Sequence, residues 1–171
     1  MAPSTTAPPL LFPGDPGARR LRVALIITGL ELGGGGAVTQ TITNAIDARR
    51  FEVDVYCVIE GGSMESSIRA TGCGVTILDG TYDYRRRMFT YDPFKVLALA
   101  KILRRKRYDI VHTHLYHADV VGRIAARLAG TPVVLKSLHN MGRWKSARHV
   151  AVDRVLNRWT ARIICCSDYQ R

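Results

Sequence analysis

Residues 21–37 read LRVALIITGLELGGGGA. The first eight are almost wholly apolar and partly β-branched, and a turn holding Gly29 and the run Gly33, Gly34, Gly35, Gly36 follows. An unbroken apolar stretch of that length suits a strand covered on both faces, as in a parallel sheet. The helical pattern over residues 37–48 completes a strand–turn–helix unit.

The unit recurs along the chain. Residues 51–59 form a second strand, and a short helix opens at Ser63 after Gly61 and Gly62. Residues 74–78 are a third strand, and 92–107 an amphipathic helix with its basic residues on one side. Residues 109–113 are a fourth strand, and 118–129 a helix closed by Gly130, Thr131 and Pro132. Residues 133–138, 146–161 and 162–166 supply a fifth strand, a helix and a sixth strand. Short apolar strands alternating with longer helices imply βαβ crossovers, hence an α/β, doubly wound, Rossmann-like parallel sheet.

Outside this core the chain changes character. Residues 1–17 hold five of the seven prolines and no continuous apolar stretch of the kind a secretory signal needs. We divide the chain into a flexible leader, residues 1–20, and a single domain, residues 21–171. Ser167 followed by Gln170 has the spacing of a helix-opening capping box. Five residues cannot sustain a helix, so the domain reads as truncated at a helix start.

Composition narrows the function classes. A chain of 171 residues can bury one real core, and no apolar run approaches the roughly 20 residues that span a bilayer. The expectation is a soluble, cytoplasmic domain, peripheral at most to the inner face of the membrane. The cysteines Cys57, Cys73, Cys165 and Cys166 lack paired C-x-x-C spacing and read as small thiols in a reducing compartment. The net charge of +11, from 25 basic and 14 acidic residues, suits a partner carrying phosphates. Nucleic acid is disfavoured, because charge alone gives only salt-sensitive, non-specific binding and no readout motif is present.

Ligands of open α/β sheets bind where strands end and helices begin. Three such exits stand out. At the first, the glycines let a backbone approach a phosphate, and the helix that follows offers free N–H groups. The spacing is not a clean G-x-G-x-x-G, which disfavours a dinucleotide; a turn without a ligand is the plain alternative. At the second, His112, His114 and His117 approach an H-x-H-x-D-H metal pattern, but Tyr116 stands where the acid belongs. A structural histidine in the strand and a substrate-facing His114 or His117 are the other readings. At the third, His139 follows a strand in a loop with Asn140 and Gly142. An imidazole there could bond a phosphate or sugar oxygen, shuttle a proton, or simply be solvated.

Taken in order, these pieces resemble the N-terminal domain of the GT4-type, retaining glycosyltransferases of GT-B fold, over residues 22–171. The resemblance rests on the first strand with its glycine turn, on Tyr108 to His114, on the His139 strand exit and on Arg162 to Ser167. It implies two Rossmann-like domains across a cleft, the N-terminal one binding mostly the acceptor and the C-terminal one a nucleotide-sugar. It places Gly34, Gly35 and Gly36 near the donor diphosphate and His139 beside the transferred sugar, as the catalytic residue. His114, His117 and Asn140 would then help bind substrate.

Two departures stand out. Val38 occupies the position where many relatives carry an acid, and the family's Glu-x7-Glu pair, which lies in the second domain, has no counterpart because no glutamate follows Glu65. The resemblance therefore implies an acceptor-binding half, incomplete as a catalyst, whose partners are a nucleotide-sugar donor, a glycan or lipid-linked acceptor and a C-terminal GT-B domain. No metal and no cofactor beyond the substrate are expected. The basic and aromatic residues 82–89, with residues 101–107, Arg143, Lys145 and Arg148, read either as a face for an anionic membrane or as ordinary solvated surface. The alternative function is a non-catalytic module that binds glycan or lipid phosphate.

Overall fold

The computed structural model describes residues 19–78, 82–83, 88–89, 93–139 and 145–165. Its elements, in order, are β1 (Leu21–Ile27), α1 (Gly34–Ala45), β2 (Phe51–Cys57), α2 (Glu65–Ala70) and β3 (Gly74–Ile77). A short antiparallel ribbon follows, β4 (Tyr82–Asp83) with β5 (Met88–Phe89), and then α3 (Pro93–Lys106). The second half comprises β6 (Ile110–His114), α4 (Tyr116–Ala129), β7 (Val133–Leu138), α5 (Ala147–Asn157) and β8 (Arg162–Cys165).

Six strands form one sheet in the order β3-β2-β1-β6-β7-β8, and every pairing in it is parallel. The chain winds outward from β1 to β3, crosses back to β6, and winds outward the other way. This is the doubly wound, Rossmann-like sheet the strand spacing predicts.

Alternation along β1 builds two cores. Ala24 and Ile26 face one side, where Val111 and Val134 join Leu99 and Leu103 of α3 and Ala118, Val121 and Ala125 of α4. Val23, Leu25 and Ile27 face the other, against Leu30, Val55, Met64 and Ile68. Fully burying a side chain such as Leu25 or Leu99 stabilises the fold by about 2 kcal/mol. A smaller cluster of Tyr116, Val120 and Leu156 fastens α5 to α4.

Element boundaries moved where backbone chemistry overrode the apolar pattern. The first helix starts at Gly34 rather than at Ala37, its first turn closed by the Ala37 N–H donating to the Gly33 carbonyl at 2.9 Å. The fourth helix starts at Tyr116, two residues before the predicted Ala118, because Leu115 adopts φ 67° and turns the chain sharply after the strand. Gly130, at φ 75°, closes that helix as its sequence suggests. Ser146 is the N-cap of α5, with reciprocal bonds between Ser146 and His149. The β4–β5 ribbon was not foreseen; it falls inside the stretch read from sequence as part of a cationic face. No helix among the described residues is long and apolar enough to cross a membrane.

Candidate functional site

In the sheet, β1, β6 and β7 are neighbours, so their exits lie side by side on the carboxyl edge. The glycine turn meets the exit of β6 directly. A Cβ built on Gly35 would lie 3.0 Å from a methyl of Leu115, and one on Gly36 would lie 2.6 Å from the Glu31 carbonyl oxygen and 2.8 Å from the Met64 sulfur. Close packing thus accounts for two of the three glycines. A Cβ on Gly34 would meet nothing within 4 Å among the described residues and would face open space. The helix behind it has no side-chain cap, leaving the N–H groups of its first turn as donors at its positive end.

The exits of β6 and β7 are joined by imidazoles. Register pairs His112 with Leu135 and His114 with Ser137, and alternation places His139 on the same face. The His114 Nδ1 and His139 Nε2 lie 3.0 Å apart, with the two rings stacked at 5.2 Å. The His112 ring tilts over His114 at 4.2 Å, and its Nε2 lies 2.8 Å from the Ser137 hydroxyl. Burial, with the His139 ring adding to it, pushes His112 down to about 4. Burial and the two neighbouring rings push His114 to about 2, and burial lowers His139 as well. At neutral pH this is a stack of uncharged imidazoles.

His112 is 8% exposed and His114 is wholly buried, so His114 makes its contact with the site through His139. His117 belongs to another group: its ring meets Tyr116 edge-on at 5.7 Å, and burial followed by the influence of His149 lowers it to about 4. The three histidines of the metal-like spacing therefore divide two and one. Among the described residues no group of three His, Cys, Asp or Glu is placed to hold a metal ion. Asn140 lies outside the described residues.

A narrow cleft beside His139 is lined by Tyr116, Lys136, Ser137 and Lys145. Behind it sits an ionic cluster that sequence reasoning did not find. The buried Arg123 guanidinium donates to Asp119 at 2.5 Å and to Asp153 at 2.7 Å, and to Asn157 at 2.8 Å. The Lys136 ammonium reaches Asp119 at 3.0 Å and Asp153 at 2.8 Å, and Lys145 reaches Asp153 at 2.5 Å. Thr113 completes Asp119 by donating at 2.7 Å. Burial alone would raise Asp153, but the bonds from Lys136, Lys145 and Arg123 and the charge of Lys136 more than offset it and bring it to about 2. The signal was present in sequence: Lys136 interrupts an apolar strand, and Arg123 lies one helical turn after Asp119 on a helix that is apolar around them. Charges at such positions must be paired.

A more spacious groove, of about 570 Å³, lies at the opposite edge, between the start of β2 and the turn before β3, lined in part by Arg20, Phe51, Asp54 and Cys73. It is remote from the strand exits, where this architecture binds ligands, and the exits are the candidate site.

A parallel sheet in this order, with a glycine turn after its first strand, defines one Rossmann-like domain, and its likeness is to one domain of GT-B glycosyltransferases. The fold is that of HepE from Anabaena, solved in complex with UDP, at a TM-score of 0.65, 17% identity and coverage of 88% of this chain and 39% of that one. MurG of Acinetobacter baumannii superposes with a TM-score of 0.59 at 16% identity, over 85% of this chain and 41% of its own. The chain belongs to Glycosyltransferase Family 4, which its residues 32–171 match. Over 82 residues, 43% of the chain, it is 37% identical to the UDP-Gal:alpha-D-GlcNAc-diphosphoundecaprenol alpha-1,3-galactosyltransferase of Escherichia coli. That match spans 21% of the relative's length.

Proposed function

We propose that this chain is the acceptor-side half of a glycosyltransferase that moves a sugar from a nucleotide-sugar, a UDP-sugar in the first instance, to a lipid-linked or glycan acceptor. The observation that carries it is the family match over residues 32–171, on a fold that covers about two fifths of each of the solved structures it resembles. The relative that acts on a diphosphoundecaprenol-linked sugar favours a lipid-linked acceptor.

In this reading the exposed first turn of α1 at Gly34 approaches the donor diphosphate, whose charge the helix N-terminus favours. His139 stands beside the transferred sugar and stabilises its oxygens, and the adjoining cleft holds Lys136 and Lys145, each paired with a carboxylate. His117 and Asn140 contribute on the acceptor side. The carboxylates that would grip the nucleotide belong to a second domain, so the chain by itself orients acceptor without completing the reaction. The work at a membrane-borne acceptor would bring its basic surface against anionic lipid at the inner face of the membrane.

Calorimetric titration tests this directly. The chain should bind a diphosphopolyprenyl-linked sugar yet transfer nothing from a panel of UDP-sugars until a Family 4 donor-side domain is joined to it. Transfer by the chain alone would overturn its incompleteness. Acceptor binding that no added domain converts to transfer would make it a binding module.

A further inference from the structure

The contact between His114 and His139 has a direction that the burial around it dictates. The two facing nitrogens, Nδ1 of His114 and Nε2 of His139, are 3.0 Å apart, so one of them carries the shared hydrogen. His114 is wholly buried, and its other nitrogen, Nε2, is buried without a hydrogen-bond partner among the described residues. If His139 donated, His114 would carry its proton on that Nε2. A buried N–H without an acceptor is costly and is the rarer of the two kinds of unmet polar group. If His114 donates, Nε2 keeps only a lone pair, and the costly orphan donor disappears.

We infer that His114 is a positioning residue: it donates Nδ1–H to His139 Nε2 and thereby holds the His139 proton on Nδ1. Neither ring takes a second proton near neutral pH, because burial lowers both. The backbone supports the arrangement. Parallel register sets His114 opposite Ser137, two residues before His139 and on its face of the sheet. Leu115, at φ 67°, then turns the chain away, and the His112 ring packs 4.2 Å behind His114.

The consequence is chemical. A neutral histidine with its proton on Nδ1 is a hydrogen-bond donor at that nitrogen, not a base. His139 shares its cleft with Lys136 and Lys145, whose ammonium groups can only donate. Both ammonium groups are paired with carboxylates, Lys136 with Asp119 and Asp153 and Lys145 with Asp153, and Asp119 lines the same cleft, so the imidazole N–H is the donor suited to a sugar oxygen that gains negative charge. His114 thus sets His139 as a stabiliser of oxygen charge and removes it from general-base duty. This inference rests on the proposed role of His139, but its first test does not.

Long-range proton–nitrogen NMR of the histidine-labelled chain at pH 7.5, assigned through bonds, reads the tautomers without any substrate. Nitrogen shifts placing the proton of both His114 and His139 on Nδ1 are expected. A His139 protonated on Nε2 would overturn the inference in the unaltered protein. His114→Asn, whose amide nitrogen overlies Nδ1, should keep the His139 tautomer, whereas His114→Leu, which removes the donor that fixes it, should give the mixed tautomers of an unfixed imidazole. In the joined two-domain enzyme, His114→Leu should lower kcat about 10- to 100-fold with KM little changed, and His114→Asn should restore most of it. Unaltered transfer by His139→Ala would sink the reaction-centre reading while the tautomer result stood.

Discussion

Asp119 and Asp153 show how much one residue can carry when it is out of water. Arg123 and Lys136 are almost inaccessible, and each depends on these two carboxylates for its charge to be tolerable. Removing one partner of a buried pair strands the other, which costs about 3–5 kcal/mol. Asp119→Asn and Asp153→Asn should each lower the urea midpoint by that equivalent. The comparison pair is Arg19 with Asp109, also 2.5 Å long, in which the arginine is 66% exposed. Arg19→Ala should cost under about 1 kcal/mol, because water screens the charge and replaces the bond. Equal losses from the exposed and buried variants would mean that the cluster is wetter than its geometry.

At the scale of the element, the opening turn of α1 separates two reasons for glycine. A methyl on Gly36 would meet the Glu31 carbonyl oxygen at 2.6 Å, and a backbone atom cannot swing aside. Gly36→Ala should therefore destabilise by about 1–3 kcal/mol in thermal unfolding. Gly34 has open space, so Gly34→Ala should stabilise the helix by about 0.5–1 kcal/mol. If a diphosphate approaches that backbone in the joined enzyme, the same methyl should raise the KM for nucleotide-sugar. A more stable variant with unchanged KM would remove Gly34 from the donor site.

The molecule as a whole should be acid-sensitive in two windows. The folded state holds His112 and His117 near 4, against an ordinary value of about 6.5 in the unfolded chain. A depressed folded value means that the unfolded state takes up the proton first. Stability is therefore full above pH 6.5 and declines as the pH falls toward 4, by about 3 kcal/mol for the buried His112 alone. Asp153, held at about 2, adds a second loss between about pH 4 and pH 2 as its carboxylate is protonated. Urea midpoints measured from pH 7.5 to 3 should fall throughout the upper window. A flat profile there would contradict the buried, neutral imidazole stack.

How much of this was legible in the sequence follows from the range of the forces involved. Strand and helix identity depends on local apolar periodicity, so the six parallel strands, the five main helices and the Gly130 stop could be read from neighbours a few residues apart. The histidine at the exit of β7 was likewise visible as a residue type just beyond a strand. Tertiary structure decided what each group touches. It made Gly35 and Gly36 packing glycines and left Gly34 open, because Leu115, Glu31 and Met64 come from elsewhere in the chain. It also buried His114 against His139, and it gathered Asp119, Arg123, Lys136, Lys145 and Asp153 from two helices, one strand and a loop. Those contacts depend on sheet register and helix packing, which fix distances between residues far apart in the chain, and local periodicity carries no record of them.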